Sequence, residues 1–299
     1  MTIEQFPPRG GLESWLAALL RASLQLLLKP VFSPRFGIPF QRRWLRLLAH
    51  TTLPLRGTRF TADLVGGVPG EWVQPREAPT RAGTLLYLHG GAYCVGAAAT
   101  HRSLTARLAR STGLALFAAD YRLAPEHPFP AAVEDALAAY RALRERGPVV
   151  VAGDSAGGGL ALALALALRD AGEPLPASLV LLSPWADMSA DAVPARPPRG
   201  EAMLSLPWAR ECAALCLRDT PPSHPWASPL RADLRGLPPV LIQAGTDELL
   251  HDQALRLHDA LQAAGVSVRC EITPRRWHVF QLHGGALASA DDAIDRIAL

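Results

Sequence analysis

The amino-acid sequence predicts an α/β fold, with a mostly parallel sheet of eight strands that is flanked by helices and covered by a helical cap. Short runs rich in β-branched residues and leucine alternate with longer alanine- and leucine-rich segments along most of the 299 residues. Such alternation is typical of a parallel sheet with helices on both faces. A hydrophobic content of 49% with 19% charged residues is that of a globular chain with a large core.

Each strand is predicted from a short apolar run, and the later strands are each followed by a longer helical segment. The runs Leu85-Leu86-Tyr87-Leu88 and Val149-Val150-Val151 are uninterrupted, as expected of strands that are buried on both faces. The strands are predicted near 58–65, 71–74, 84–89, 114–120, 149–153, 178–182, 239–244 and 268–273. The main helices are predicted near 101–112, 131–146, 156–170, 248–264 and 287–298.

A glycine-rich turn joins the valine-rich strand to the helix that follows it. The turn reads Gly153-Asp154-Ser155-Ala156-Gly157. A G-x-S-x-G turn between a strand and a helix is the nucleophile elbow of α/β-hydrolases, which exposes the serine on a strained turn. The positive end of the following helix would face the serine hydroxyl. We therefore predict that Ser155 is a catalytic nucleophile, with an ordinary strand–helix turn as the alternative.

A second glycine-rich segment follows the strand near 84–89. It reads His89-Gly90-Gly91-Ala92. Small residues allow backbone N–H groups to approach a carbonyl oxygen that gains negative charge during acyl transfer. The segment has the form of the HGGG-type loop of esterases and lipases, with alanine in the last place. It is predicted to form an oxyanion hole, with a plain turn as the alternative.

Several blocks of the sequence resemble the bacterial hormone-sensitive lipase family (family IV) of carboxylesterases. The blocks begin at His89, Asp120, Gly153, Ser183, Ala227, Gly245 and Trp277. They occur in the family's order, and the match runs from about residue 60 to residue 283. The first 50 residues resemble the family's variable cap in character more than in detail. One departure is Ala92, where a third glycine is usual in the family.

This resemblance implies an α/β-hydrolase fold and assigns roles around the first glycine-rich segment. It implies that the N–H groups of Gly91 and Ala92 stabilise the oxyanion. The N–H group of Ala156 is added because Ala156 follows the nucleophile. The resemblance further implies that His89, with Gly90 beside it, braces the loop and transfers no proton.

The remaining triad residues are predicted from chain order, which in α/β-hydrolases is serine, acid, histidine. The loop after the seventh predicted strand contains Asp247 and Glu248, at the sheet edge where catalytic groups gather. Asp247 is the predicted acid, and Glu248 is the nearest alternative, although Glu248 could instead open the following helix, where a carboxylate suits the first turn. His278, in the loop after the last strand, is the predicted general base, and His283 is its competitor.

These residues predict a carboxylic ester hydrolase that acts on small esters with short acyl chains. Ser155 would attack the ester carbonyl while His278 takes its proton and Asp247 holds the imidazole, giving a Ser-His-Asp acyl-enzyme mechanism. The chemistry needs no cofactor. A deacetylase or lactonase with the same triad is the alternative among enzymes. A non-catalytic, ligand-binding α/β-hydrolase is the alternative from another class, and the presence of all three residues argues against it.

Two segments outside the alternating pattern are predicted to form the cap. Residues 1–50 are its N-terminal part, and residues 51–299 are the catalytic domain, with 186–228 as the second cap segment. That second segment contains a Pro- and Arg-rich stretch at 191–200 and a helix near 207–218. Apolar residues recur at helical spacing near the N-terminus, at Leu12, Trp15, Leu16, Leu19, Leu20 and Leu27. A helix over the active site is the favoured interpretation, and a membrane-surface helix is the alternative.

Composition argues against other partners. The net charge is +3, but the arginines are scattered and no basic stripe interleaved with aromatic residues predicts nucleic-acid binding. The longest uncharged apolar stretch, 156–168, has thirteen residues, too few for stable membrane insertion. The four cysteines complete no zinc pattern.

Features of a signal peptide are missing, which predicts a cytoplasmic protein. The family resemblance implies a homodimer through the late edge strand.

Overall fold

Nine strands form one sheet at the centre of the computed structural model, which describes residues 3–52, 54–76, 79–189, 192 and 198–297. The strands are β1 (Glu4–Gln5), β2 (Arg59–Val65), β3 (Val68–Gln74), β4 (Thr84–Leu88), β5 (Ala115–Ala119), β6 (Val149–Asp154), β7 (Ser178–Leu182), β8 (Val240–Gly245) and β9 (Val268–Thr273). Their order across the sheet is β1-β9-β8-β7-β6-β4-β5-β3-β2. The pairs β2–β3 and β3–β5 are antiparallel, and all other neighbours are parallel.

The predicted α/β class and mostly parallel sheet are confirmed, but the predicted number of eight strands is wrong. The additional strand is β1, which has two residues and pairs with β9 in parallel, with Glu4 opposite Glu271. A strand this short has no periodic pattern of its own, so only its pairing defines it. It also covers part of the outer edge of β9, the late edge strand through which the resemblance implies a homodimer.

Eight α-helices lie in the described part of the chain. They are α1 (Leu12–Ser23), α2 (Ile38–Ala49), α3 (Arg102–Thr112), α4 (Ala131–Arg144), α5 (Ala156–Asp170), α6 (Leu206–Leu217), α7 (His251–Ala263) and α8 (Ala288–Asp295). A π-helical segment, Leu24–Leu28, continues α1. The predicted helices match α3 to α8 to within about one turn, and residue 298, at the predicted end of the last helix, lies outside the described residues. None of the described helices has the length and apolar content needed to cross a membrane.

The residues of β4 alternate between two hydrophobic cores. Leu86 and Leu88 face the core that contains α4, α5 and α7, whereas Leu85 and Tyr87 face the core that contains α3 and α8. All four side chains are fully buried. A strand that is covered on both faces needs apolar side chains at every position, which explains the uninterrupted run in the sequence. Residues 156–168 form most of α5, which is buried against the first core.

The two segments predicted to form the cap contact each other. Trp208 of α6 stacks on Phe32, with ring centroids 4.3 Å apart. The Trp208 indole Nε1 donates a hydrogen bond of 2.7 Å to Oε1 of Gln41 in α2. The domain boundary at residue 50 stays a prediction. Within the predicted stretch 191–200, residues 191 and 193–197 lie outside the described part of the chain.

Candidate active site

Ser155 lies at a sharp turn between β6 and α5. Its backbone has φ +52° and ψ −118°, a strained conformation for a residue with a side chain. The turn closes only because its neighbours are glycines. A Cβ atom at Gly153 would lie 2.3 Å from the Gly157 carbonyl oxygen, and one at Gly157 would lie 1.9 Å from that of Leu88. The strand, turn and helix of a nucleophile elbow are therefore present at Ser155.

The loop after β4 presents backbone N–H groups next to Ser155. Gly91 and Ala92 have positive φ values of 126° and 52°, which turn the chain back on itself. Within the described residues, their N–H groups donate to no backbone or side-chain acceptor. The N–H group of Ala156 is the first of α5 and has no acceptor inside the helix. Gly90, Gly91 and Ala92 line the same cavity as Ser155, so the predicted oxyanion loop and the serine lie together.

His89 is packed in a way that fixes the loop. Its ring stacks on Tyr121 with centroids 4.4 Å apart, and the Tyr121 hydroxyl donates a 2.6 Å hydrogen bond to the His89 carbonyl oxygen. Burial, with a smaller contribution from His101, lowers the pKa of the His89 imidazole to about 4. A neutral, stacked ring agrees with the bracing role that the family resemblance implies.

Asp154 holds the predicted oxyanion loop against the turn at Ser155, a contact that the sequence analysis did not predict. Its buried carboxylate accepts hydrogen bonds from the Gly90 N–H group, at 2.9 Å, and from the Tyr87 hydroxyl, at 2.6 Å. Burial would raise the pKa of Asp154, but His101, 3.4 Å away, and Tyr87 outweigh burial and lower it. The only sequence signal was the position of Asp154 inside the G-x-S-x-G motif.

His278 lines the same cavity as Ser155, and the carboxylate beside its ring belongs to Glu248. Glu248 Oε2 lies 3.6 Å from His278 Nδ1, and both side chains are buried. This separation exceeds a hydrogen bond, as is common for catalytic pairs without substrate. Asp247 points away and pairs with Arg21 of α1 at 2.8 Å, with 26% of its side chain exposed. The predicted pairing of Asp247 with His278 is therefore corrected in favour of the alternative, Glu248.

Local contacts explain why residue 248 faces inward and residue 247 outward. The Ser183 hydroxyl at the end of β7 donates a 2.7 Å hydrogen bond to Glu248 Oε2 and accepts one of 3.1 Å from the Val279 N–H group. Ser183 thus joins the acid to the loop that carries His278. Since α7 begins at His251, Glu248 precedes the helix and does not belong to its first turn. Sequence reasoning missed Ser183, which appeared only as the start of a block resembling the family.

Glu201 connects the second cap segment to the loop after β8, which contains Glu248. Its buried carboxylate accepts hydrogen bonds from the N–H groups of Met203, Leu204 and Leu249, with lengths of 2.7, 2.9 and 2.6 Å. The bond to Leu249 fixes the residue directly after Glu248. No motif in the sequence indicated this contact, because it joins segments that are far apart along the chain.

The carboxylates near His278 favour its protonated form. Burial alone would lower the pKa of the imidazole, but Glu248, with weaker contributions from Glu201 and Asp154, raises it above the usual value. Such a field stabilises the imidazolium that forms when a general base takes a proton. The competitor, His283, is half-buried in an edge-to-face contact with Trp277, and desolvation lowers its pKa to about 4.

Two cavities adjoin at the site. The smaller, of about 70 Å³, contains Ser155 and His278 and is walled by cap residues that include Leu28, Phe32 and Met203. The larger, of about 600 Å³, lies under α1 and α2. Leu28 and Met203 line both. Within the described residues, no group of three His, Cys, Asp or Glu side chains could hold a metal ion. All four cysteines are buried and form no disulfide bond.

Comparison with known proteins reveals relatives that span most of the chain. Residues 85–282 match the pattern of a family described as alpha/beta hydrolase fold. The chain is 47% identical over 236 residues to an acetyl-hydrolase of Streptomyces hygroscopicus, covering 77% of this chain and 78% of that protein. It is 33% identical over 293 residues to an esterase of Acinetobacter venetianus, covering 96% and 93%. A crystal structure of an esterase from the bacterial hormone-sensitive lipase family has a TM-score of 0.86, with 37% identity and 97% of both chains covered.

Proposed function

Because the chain belongs to the alpha/beta hydrolase fold family and, within it, to the bacterial hormone-sensitive lipase family of esterases, we propose that it hydrolyses small carboxylic esters with short acyl chains through Ser155, His278 and Glu248. That it is an esterase-type hydrolase follows from relatives that cover most of its length. The finer proposal is carried by one observation. Ser155, His278 and the loop after β4 line one cavity, and the Glu248 carboxylate lies 3.6 Å from Nδ1 of His278.

The proposed reaction begins with attack of Ser155 Oγ on the ester carbonyl carbon. Since Nδ1 of His278 faces Glu248, Nε2 is the nitrogen that accepts the serine proton. The carbonyl oxygen becomes negatively charged, and the N–H groups of Gly91, Ala92 and Ala156 would donate to it. Glu248 stabilises the imidazolium without taking its proton.

The second half of the reaction returns the enzyme to its starting state. His278 gives its proton to the departing alkoxide, and the alcohol leaves an acyl group on Ser155. A water molecule then loses a proton to His278 and attacks the acyl carbonyl through the same oxyanion site. In the collapse of the second intermediate, His278 returns its proton to Ser155 Oγ, which releases the carboxylic acid and restores the serine hydroxyl and the neutral imidazole.

The preference for short acyl chains is proposed from the size of the cavity at Ser155. A volume of about 70 Å³ is well below the ~300–1,000 Å³ of sites that hold drug-sized ligands. Each buried methylene contributes about 0.8 kcal/mol until the cavity is full. Removal of acetyl groups is the second candidate reaction, because a relative at 47% identity is named acetyl-hydrolase. A panel of p-nitrophenyl esters from acetate to decanoate, with acetylated alcohols and amines, tests both.

Replacing Leu28 with alanine should move the acyl-chain preference to longer chains. Leu28 lies between the two cavities, so its loss would open the small cavity to the large one. We expect kcat/KM to peak at a longer chain than in the wild type when the p-nitrophenyl panel is measured. Leu20→Ala is the control, because Leu20 lines the larger cavity and not the smaller one. An unchanged profile in Leu28→Ala would show that the cap does not limit the acyl chain.

The pH dependence of kcat/KM should reveal the influence of Glu248 on His278. The general base must be neutral, so activity is lost as pH falls through the pKa of His278, which the nearby carboxylates raise. The acid limb is therefore expected above the ~6.5 of free imidazole. Glu248→Gln removes the main cause of the raised pKa of His278 but keeps the opposing effect of burial. The acid limb of the pH profile should therefore move to lower pH. Asp247→Asn should leave it in place, and equal shifts in both variants would contradict the assignment.

A further inference from the structure

Helix α1 presents its most apolar stripe to solvent. Leu12, Trp15, Leu16 and Leu19 follow helical spacing on one face and are all exposed, Trp15 by 78% and Leu19 by 68%. A surface helix of a globular protein normally turns such a stripe towards the core. The orientation of α1 is therefore the reverse of the usual one, and another interaction must hold the helix in it.

A buried ion pair fixes the rotation of α1. Glu13 faces inward, where its Oε1 atom accepts hydrogen bonds from Arg276 Nη2, at 2.7 Å, and from the Ser289 N–H group, at 2.9 Å. Rotation that buried the leucines would leave the charge of Arg276 unpaired in the interior, which is strongly destabilising. Arg21 adds a second contact through Asp247. The outward direction of the stripe is thus specified by the fold.

The apolar surface continues beyond α1. Leu26 in the π-helical segment is exposed, and Trp44 of α2 donates a 2.7 Å hydrogen bond to the Leu27 carbonyl oxygen, so α2 lies beside this segment. On α2, Phe40 and Leu47 are exposed, seven residues apart and therefore on one face. We call the exposed apolar side chains of α1, the π-helical segment and α2 the cap surface.

The segment that carries the cap surface is cationic. Residues 12–49, which span α1 to α2, contain six Lys and Arg side chains and one acidic residue, the buried Glu13. Their net charge is +5, and because the whole chain has a net charge of +3, the remaining residues together carry −2. Arg35 and Arg43 are exposed and, within the described residues, form no ion pair with a carboxylate. Arg43 lies between Phe40 and Leu47 on the exposed face of α2.

The cap surface adjoins the route to the active site. Leu27 is both exposed and part of the wall of the larger cavity. That cavity meets the smaller one, which contains Ser155, at Leu28 and Met203. An apolar molecule at the cap surface therefore lies next to a mostly apolar cavity that adjoins the one containing the nucleophile.

We propose that the cap surface binds an anionic lipid–water interface, with α1 lying in the plane of the interface. Exposed Trp and Leu side chains enter the boundary between head groups and acyl chains, while nearby arginines attract anionic head groups. A second copy of the chain is a poorer occupant, because each copy brings the same excess of positive charge to the contact. Esters dissolved in the lipid would then reach the larger cavity without crossing water.

Vesicle binding by the full-length protein tests this proposal. Wild-type protein should co-sediment with vesicles of phosphatidylglycerol and phosphatidylcholine, bind pure phosphatidylcholine less, and lose affinity as salt is added. The double variant Trp15→Gln, Leu19→Gln should bind at least about tenfold more weakly, because two inserting side chains are lost. Leu64→Gln is the matched control, since Leu64 is 66% exposed on β2, away from the cap surface. All variants should hydrolyse soluble p-nitrophenyl acetate like the wild type, because none of the three residues lines either cavity.

Several results would overturn the proposal. These are no vesicle binding by the wild type, equal binding to both vesicle compositions, and equal binding by the wild type and the double variant. A dimer in sedimentation velocity that the double variant abolishes would assign the cap surface to a second copy instead. Vesicle binding needs no turnover, so its outcome is independent of whether the catalytic proposal holds.

Discussion

Replacing Ser155 with alanine is expected to lower kcat by on the order of 10⁶, the loss typical when a triad serine is removed. Alanine keeps the Cβ atom and removes only the hydroxyl, so the turn between β6 and α5 should form as before. The loss should appear with p-nitrophenyl acetate and every other ester in the panel. Circular dichroism and thermal unfolding should match the wild type.

A surface serine provides the control for this experiment. Ser111 lies on α3 and donates a 3.1 Å hydrogen bond to Asp295, away from both cavities. Ser111→Ala should keep wild-type turnover. A fluorophosphonate probe, located by peptide mass spectrometry, should label Ser155 in the wild type and in Ser111→Ala. Near wild-type turnover in Ser155→Ala, or labelling at another residue, would remove Ser155 from the mechanism.

The parts of the fold that the sequence predicted are those whose structure is specified locally. Strand β6 and helix α5 are long apolar runs separated by a glycine turn, and both lie where the pattern placed them. The pattern could not reveal β1, because a two-residue strand exists only through its partner β9. It also could not show that the leucine stripe of α1 faces solvent, since that direction depends on Glu13 meeting Arg276 from the other end of the chain.

The residues of the candidate site also fall into those specified by local sequence and those that depend on distant segments. Ser155, the predicted oxyanion loop and His278 could be placed near one another from the sequence, because the first two have motifs that contain the backbone requirements of their turns and the third follows the last strand. The sequence could not identify the carboxylate beside His278, because Asp247 and Glu248 are adjacent at the end of one strand and have the same chemistry. Which of them faces the histidine is decided by Ser183 inside and Arg21 outside. Both come from distant segments, so spacing carries no information about them.

The two neighbouring carboxylates therefore provide a direct test of the triad. Glu248→Gln should lower kcat by on the order of 10⁴, because the amide no longer enforces the tautomer of His278 or stabilises the imidazolium. Asp247→Asn should keep kcat within a few-fold of the wild type, since that side chain holds Arg21 at the edge of the cap and not the imidazole. Both replacements preserve side-chain shape at consecutive positions, so kcat with p-nitrophenyl acetate compares the two roles directly.

The fold and the carboxylate itself need separate controls. Glu248 is buried and accepts a hydrogen bond from Ser183, so thermal unfolding of Glu248→Gln must show that the protein remains folded at the assay temperature. Glu248→Asp retains the charge, but its side chain is one methylene shorter and lengthens a separation that is already 3.6 Å, so it should recover only part of the lost activity. A large loss in Asp247→Asn with little loss in Glu248→Gln would return the acid role to Asp247. Equal, small losses of kcat in both variants would mean that His278 needs no carboxylate partner. That result would contradict the role proposed for Glu248.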